Sequence, residues 1–215
     1  YISGVILFDE TLRQNTIQDK IPFAQYFKSK NVIPGIKVDM GAKPLALHSN
    51  EKVTEGLDGL RQRLEEYYNL GARFAKWRAV IKIGSGIPSN ACIQTNAHAL
   101  ARYAALCQEA SIVPIVEPEV LMDGDHTIET CHDVSEKSFR SVFEELAIQG
   151  IYLEGMVLKP NMVVSGVDCF DQASVEEVAD RTVECIKATV PSDVPGCAFL
   201  SGGQSNQDAT AHLNK

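Results

Sequence analysis

Short apolar runs alternate along the chain with longer segments whose apolar residues recur at helical spacing. The six runs are Gly4–Phe8, Val32–Val38, Ala72–Ile83, Ile112–Val120, Tyr152–Val164 and Cys197–Ser201. Runs of this length are typical of strands that are buried on both faces of a parallel sheet. The pattern therefore predicts six strands, centred near residues 6, 37, 77, 115, 157 and 199.

The segments between the runs predict helices. Their apolar stripes extend over residues 57–67, 93–107, 131–146 and 175–186. Ser174 and Glu177 form a capping box ahead of the last stripe, and a further helical segment is expected after Ser205. An alternation of buried strands with helices indicates an α/β fold with a parallel sheet. Six strand–helix units fit either a doubly wound sheet or most of an eight-stranded barrel.

Polar residues interrupt four of the runs, in pairs whose members are separated by one residue. The pairs are Lys37 with Asp39, Lys76 with Arg78, Glu117 with Glu119, and Lys159 with Asn161. Strand periodicity places both members of a pair on the same face. One such charge alone is typical of a partly buried ion pair, but four strands with such pairs indicate one shared polar site. In a barrel we expect that site at the interior mouth, where active sites lie.

The residue types in these pairs favour one kind of chemistry. A lysine that is crowded by other cations loses its proton more readily than an isolated one. The neutral amine attacks carbonyl carbons and forms Schiff bases. Neighbouring carboxylates can carry protons through the carbinolamine and imine steps. The pairs therefore predict an enzyme that works through a covalent lysine adduct.

The last run ends in a glycine-rich turn, Leu200-Ser201-Gly202-Gly203-Gln204-Ser205, that leads into the expected helix. Glycines allow backbone N–H groups to converge on an anion, and the loops after the late strands of a barrel often bind phosphate. A plain strand-to-helix turn fits the same sequence, so the motif alone leaves both interpretations open. Five histidines without an HxH or HExxH pattern argue against metal chemistry, and no cofactor is expected.

Composition and charge restrict the class of protein further. A chain of 215 residues, 45% apolar and 22% charged, has the size and core-forming residues of one domain. A net charge of −8 argues against a nucleic-acid partner, so an anion site must be local. No stretch is apolar enough to cross a bilayer and no leader is visible, so no membrane partner is expected. Six widely spaced cysteines fit neither zinc nor disulfides, which favours free thiols in the cytoplasm.

Five motifs stand out in chain order: Gly35-Ile36-Lys37-Val38-Asp39, Phe74-Ala75-Lys76-Trp77-Arg78, Val113-Pro114-Ile115-Val116-Glu117-Pro118-Glu119, Leu158-Lys159-Pro160-Asn161-Met162 and the glycine-rich turn. Together they closely resemble the class I (Schiff-base) fructose-bisphosphate aldolases of animals, over essentially the whole chain. The resemblance implies a TIM (β/α)8 barrel. It also implies a lyase of glycolysis and gluconeogenesis that cleaves fructose 1,6-bisphosphate reversibly to dihydroxyacetone phosphate and glyceraldehyde 3-phosphate.

The resemblance also implies catalytic roles for the matching residues. Lys159 is expected to form the Schiff base with the substrate ketone, and Glu117 to act as general acid and base. Glu119 is expected to tune the site through hydrogen bonds. Lys76 is expected to lie beside the Schiff-base lysine and to position and polarise the substrate.

Other matching residues are implied in substrate binding. Lys37 is expected to contact the sugar-phosphate end that is remote from the imine, and Arg78 to line the site. Ser201, Gly202 and Gly203 are expected to hold the phosphate next to the ketone. The family further implies a phosphorylated sugar as substrate and a cytoplasmic homotetramer.

The same resemblance implies segments beyond both ends of this sequence. In the family, a strand precedes the position of Tyr1 and carries an aspartate that is used in bond cleavage. After the position of Lys215, the family has a final strand with a phosphate-binding arginine, and then a mobile tail. The sequence also opens inside an apolar run. We therefore expect residues 1–215 to be a single partial barrel domain with about six of eight units, without the first and last strands. Such a fragment alone should be poorly folded and nearly inactive, because two sheet edges stay open.

Two other functions are compatible with the sequence. A different Schiff-base barrel lyase, such as a transaldolase-like enzyme, would use the same lysine chemistry on another substrate. A non-catalytic aldolase-like scaffold would bind partners, but loss of Lys159 or Glu117 would then be expected, and both are present. Substrate tests with and without a second phosphate would separate the two enzymes.

Overall fold

The computed structural model describes residues 2–215. Its strands are β1 (Gly4–Leu7), β2 (Ile33–Lys37), β3 (Ala42–Pro44), β4 (Lys52–Thr54), β5 (Phe74–Ile81), β6 (Val113–Val120) and β7 (Val157–Leu158). The main sheet has the order β1-β2-β5-β6-β7, and every neighbouring pair in it runs parallel. β3 and β4 pair antiparallel as a separate hairpin. The predicted α/β fold with a parallel sheet is therefore confirmed.

Helices connect the strands. They are α1 (Asp9–Leu12), α2 (Phe23–Ser29), α3 (Leu60–Asn69), α4 (Asn90–Glu109), α5 (Ile128–Ile148), α6 (Val175–Thr189) and α7 (Asn206–Asn214), with a 3₁₀ turn at Leu153–Gly155. The four predicted stripes form α3 to α6, and the segment expected after Ser205 forms α7. The predicted cap of α6 is confirmed, since Ser174 Oγ accepts the Glu177 N–H at 3.2 Å. The sequence did not indicate α1 and α2, which bury one residue each.

The predicted sixth strand is present only as a single bridge. Cys197 pairs in parallel with Leu158, the last residue of β7. The contact continues through the Ala198 N–H, which donates to the carbonyl of Leu158 at 2.8 Å. β7 has only two residues, and Pro160, which follows closely, offers no N–H for a longer ladder. The strand expected within Tyr152–Val164 is therefore much shorter than its apolar run.

Strand alternation gives the main sheet an apolar face and a charged face. On β5, Ala75 and Trp77 are fully buried, and the Trp77 ring lies 5.5 Å from the ring of Tyr103 in α4. Lys76 and Arg78 alternate with them and lie on the opposite face. The helices cover the apolar face, so the charged side chains share the other face with the strand ends.

The cysteines are all free, as the sequence predicts, and four of them are buried. Burial raises the pKa of the Cys92 thiol to about 11 and that of the Cys185 thiol to about 12. These thiols are therefore protonated and unreactive at neutral pH. Among the described helices, none has the length and apolar character that a bilayer span requires.

The β3–β4 hairpin, which the sequence did not indicate, is attached to α4 by a buried amide. Asn96 is 2% exposed. Its Oδ1 accepts the Thr54 N–H at 3.2 Å, and its Nδ2 donates to the carbonyl of Lys52 at 2.9 Å. One side chain thus supplies hydrogen bonds that a third strand would otherwise supply to β4.

We predict that Asn96→Ala destabilises the protein by about 1–3 kcal/mol, because it leaves the buried Thr54 N–H without a partner and removes one hydrogen bond to the carbonyl of Lys52. The free energy of unfolding from urea titration measures this change. Gln94→Ala on an exposed position of the same helix is the matched control and should change the value by less than about 0.5 kcal/mol. Equal effects of the two substitutions would contradict the assigned role of Asn96.

A second buried polar group, His126, lies in the loop between β6 and α5. The residue is 8% exposed, and neither ring nitrogen has a hydrogen-bond partner. Burial lowers the pKa of the imidazole, and the charges of Asp125 and Asp123 oppose this only in part. Its carbonyl accepts the Gly166 N–H at 2.8 Å, so the ring lies where two loops join. The folded protein therefore disfavours a charged His126.

We predict that the fold becomes less stable at acidic pH because of His126. Below the ordinary histidine pKa of about 6.5, the unfolded chain binds a proton that the folded chain disfavours, so the free energy of unfolding decreases as the pH falls. His126→Phe, which cannot be protonated, should flatten the change in urea midpoint between about pH 7.5 and pH 5.5. Gln94→Ala, which changes no titratable group, should keep the wild-type slope. A wild-type slope in the His126 variant would exclude this histidine as the source.

Candidate active site

Strand register brings the predicted lysines and carboxylates together. Lys37 at the end of β2 is level with Lys76 of β5, and Arg78 of β5 is level with Glu117 of β6. Lys159 directly follows β7, and its N–H continues the ladder to β6 with a 2.8 Å hydrogen bond. These residues therefore line neighbouring strands toward their carboxyl ends, where the sequence predicted a shared site.

The centre of the site is a buried carboxylate that two lysines share. Glu117 is 3% exposed. Its Oε1 lies 2.5 Å from Lys159 Nζ, and its Oε2 lies 3.2 Å from Lys76 Nζ. The lysine side chains are partly exposed, so the group can be reached from solvent. Two ammonium groups around one carboxylate leave a local positive charge in an acidic protein, which suits an anionic substrate.

A second carboxylate, Glu119, lies two residues further along β6 and contacts Arg78. Glu119 is 3% exposed, and its Oε2 accepts a hydrogen bond from Arg78 Nε. This hydrogen bond, aided by the nearby carboxylates, raises the pKa of the Arg78 guanidinium above its usual value. Arg78 is thus a permanent cation that remains partly open to solvent beside the lysine cluster.

The fourth cation, Lys37, is held by Asp39, its partner in the polar pair, to which the family resemblance assigned no role. Lys37 Nζ donates to Asp39 Oδ1 at 2.6 Å and to the Asp39 carbonyl at 2.9 Å. Asp39 is 7% exposed and also accepts the N–H groups of Gly41 at 3.1 Å and Arg78 at 3.3 Å. The polar pair in the sequence signalled Asp39, but the contact with β5 appears only in three dimensions.

Asn161 does not join the cluster, and its pairing with Lys159 on one strand face is wrong. β7 ends at Leu158, so strand alternation does not reach Asn161. Its Oδ1 accepts the Val120 N–H at 3.0 Å, and its Nδ2 donates to Ser135 Oγ at 3.0 Å. The side chain is fully used in joining β6, α5 and the segment after Lys159.

The glycine-rich turn lies beside the charged cluster. A Cβ atom on Gly202 would be 3.9 Å from Glu119 Oε1. Gly202 and Gly203 have φ angles of 64° and 102°, in the left-handed region that favours glycine. Within residues 2–215, the N–H groups of Ser201, Gly202 and Gly203 have no protein acceptor. Backbone donors without a protein acceptor, in a turn of this kind, can bind an anion.

The structure thus gathers the charged residues that the sequence singled out, with the turn at one side. Lys37, Lys76, Arg78, Glu117, Glu119 and Lys159 lie along β2, β5, β6 and the end of β7. No cluster of three or more metal-ligating side chains occurs in the described part of the chain. The chemistry available is that of a lysine amine with a carboxylate within proton-transfer distance.

Comparison with known proteins gives a consistent result. The family model for fructose-bisphosphate aldolase class-I matches residues 1–215. A probable fructose-bisphosphate aldolase class 1 from Xanthomonas campestris is 65% identical over 100% of this chain and 64% of its own length. A fructose-bisphosphate aldolase from Echinococcus multilocularis is 53% identical over 100% of this chain and 59% of its own length. The chain therefore spans less than two thirds of the length of these relatives.

A solved structure agrees with the sequence matches. The fructose-bisphosphate aldolase from Plasmodium falciparum, in a complex with TRAP and a small molecule inhibitor, superposes with a TM-score of 0.96 at 47% identity. The match covers 99% of this chain and 62% of the Plasmodium chain. Because the family model matches from the first residue to the last, the chain belongs to the class I fructose-bisphosphate aldolase family.

Proposed function

We propose that the protein cleaves fructose 1,6-bisphosphate reversibly to dihydroxyacetone phosphate and glyceraldehyde 3-phosphate through a Schiff base on Lys159. The observation that carries the proposal is the buried Glu117 carboxylate, bound by Lys159 on one oxygen and Lys76 on the other. Membership of the family supports the choice of reaction and substrate. The protein would then be a carbon–carbon lyase of glycolysis and gluconeogenesis that needs no cofactor.

The proposed reaction begins at the amine of Lys159. Its nitrogen adds to the C2 carbonyl of the substrate, and the carbinolamine loses water to give an imine. Glu117, whose Oε1 is 2.5 Å from that nitrogen, is close enough to take a proton from the amine and to give one to the leaving hydroxyl. A carboxylate at this distance can thus serve both directions of the reversible reaction.

The protonated imine then accepts the electrons of the bond that breaks. Cleavage between C3 and C4 sends the electron pair to the imine nitrogen and leaves an enamine on Lys159, while the C4 hydroxyl passes its proton to a carboxylate base of the site and becomes the aldehyde. Protonation of the enamine carbon and addition of water release dihydroxyacetone phosphate. Lys76, 3.2 Å from the other oxygen of Glu117, would polarise the substrate beside the imine.

The proposed binding residues lie on the two sides of the nucleophile. The N–H groups of the turn at Ser201, Gly202 and Gly203 would hold the phosphate next to the ketone. Lys37 lies on β2, which two strands separate from β7, and would hold the remote phosphate. Arg78 and Glu119 would line the site between these ends, with Glu119 tuning it through its hydrogen bond to the guanidinium. A sugar with a phosphate at each end would bridge such a site.

Three broader features belong to the same proposal. Residues 1–215 would be one (β/α)8-type domain, as the parallel sheet and its helical crossovers support. The protein would work in the cytoplasm. A relative from Arabidopsis thaliana that is 51% identical and is named as cytosolic supports this location. It would assemble as a homotetramer, as the family resemblance implies.

We predict that Lys159→Met reduces cleavage of fructose 1,6-bisphosphate to background in a coupled assay of the full natural chain, because no amine remains to form the imine. Lys187→Met, at an exposed position of α6, is the matched control and should keep the wild-type rate. Cleavage at the wild-type rate by the Lys159 variant, or none by the wild-type protein, would refute the proposed reaction.

We also predict that Glu117→Gln lowers kcat by about 10²- to 10⁴-fold, because the amide keeps the shape of the side chain but cannot transfer the proton. Steady-state rates and the single-turnover rate of imine formation measure this loss. Glu144→Gln, on an exposed position of α5, should have no effect. A loss of less than about threefold would rule out Glu117 as the general acid and base.

A further inference from the structure

The glycine-rich turn is closed twice by the residue that follows its glycines. The Gln204 N–H donates to the carbonyl of Ser201 at 3.1 Å, and Gln204 Nε2 donates to the same oxygen at 2.8 Å. A carbonyl oxygen accepts two hydrogen bonds, and here both come from one residue. The shape of the turn, and with it the direction of its unpartnered N–H groups, therefore depends on the side chain of Gln204.

The amide of Gln204 is itself fixed by α7. His212 Nδ1 lies 2.6 Å from Gln204 Oε1, and because that oxygen only accepts, Nδ1 is the donor. Ser205 caps the helix by accepting the Asp208 N–H at 3.1 Å. α7 therefore begins directly after the turn, and its C-terminal part places His212 beside Gln204, the residue that closes the turn.

α7 also packs against α6, and Lys215 at its end pairs with Glu176 at 3.4 Å. Apart from the Ser201 carbonyl, Gln204 Nε2 has only the Met162 sulfur at 3.8 Å, a weak acceptor. A cavity of about 420 Å³ separates α7 and the turn from residues 164–178. α7 buries no residue fully. Among the described residues, the hydrogen bond from His212 to Gln204 is the side-chain hydrogen bond that joins the C-terminal part of α7 to the turn.

We propose that Gln204 and His212 are positioning residues of the phosphate-binding turn. His212 orients the amide of Gln204, and Gln204 holds Ser201, Gly202 and Gly203 in the shape in which their N–H groups face one anion. This inference rests on the proposed function, in which the turn binds the phosphate next to the ketone. Neither side chain touches the reacting atoms, so both act on the affinity for phosphorylated ketones and not on imine formation.

The test uses borohydride trapping at Lys159 in the full natural chain, with dihydroxyacetone phosphate or dihydroxyacetone as the ketone. We expect His212→Ala to raise the half-saturating concentration of dihydroxyacetone phosphate about three- to tenfold, the size of one lost hydrogen bond, and Gln204→Ala to raise it at least as much. The value for dihydroxyacetone, which has no phosphate, should not change. His212→Gln, which restores an N–H donor, should recover part of the affinity.

Gln207→Ala is the matched control, an exposed glutamine of the same helix that does not contact the turn. Unchanged values for dihydroxyacetone phosphate in the His212 and Gln204 variants would overturn the inference. Equal shifts for both ketones would also overturn it, since they would show a merely structural role. Gln204→Glu keeps the size of the side chain without its donor and replaces Gln204→Ala if that variant fails to fold. A wild-type protein that traps neither ketone would instead refute the proposed function.

Discussion

The organisation of the site depends on one buried carboxylate. Burial of an isolated carboxylate costs several kcal/mol, and only a close cation and satisfied oxygens offset that cost. Glu117 has two close cations: Lys159 donates a hydrogen bond to Oε1, and Lys76 pairs with Oε2 at 3.2 Å through charge alone, without a hydrogen bond. Lys76 extends to Glu117 from β5, and Lys159 extends to it from the end of β7. The ion pairs that make up the candidate active site therefore also hold the ends of β5, β6 and β7 in register.

The other ion pairs on the charged face of the sheet have the same arrangement, a buried carboxylate with a cation beside it. Arg78 is paired with Glu119, and Lys37 is paired with Asp39, which also binds the backbone at Arg78. Each carboxylate is almost fully buried while its cation stays partly open to solvent. The arrangement keeps positive charge at the surface of the site, where an anionic substrate arrives, and places the negative charge beneath it. The helices on the other face of the sheet provide the apolar packing that allows this separation.

Much of the site could be predicted because its signals are local. Strand alternation alone places Lys76 with Arg78 and Glu117 with Glu119 on one face. The same rule failed for Asn161, because β7 ends three residues earlier and the sequence does not mark that end. The contact of Asp39 with β5 depends on strand register, which a single sequence does not reveal.

Tertiary contacts also explain the features of the fold that the sequence left out. The strands β3 and β4 are too short for a periodic signal, and the buried amide of Asn96, in a distant helix, holds β4. The glycine-rich turn fitted two interpretations because a sequence does not show which N–H groups lack acceptors. In the part of the chain that the structure describes, the N–H groups of Ser201, Gly202 and Gly203 have no protein acceptor, which fits the anion-binding interpretation.

The most direct test of the account is to identify which lysine forms the adduct. The full natural chain is incubated with fructose 1,6-bisphosphate, reduced with borohydride, digested and mapped by mass spectrometry. The account predicts a single modified peptide, with the reduced adduct on Lys159. An adduct on Lys76 or Lys37 instead, or cleavage of the substrate with no adduct at all, would contradict it.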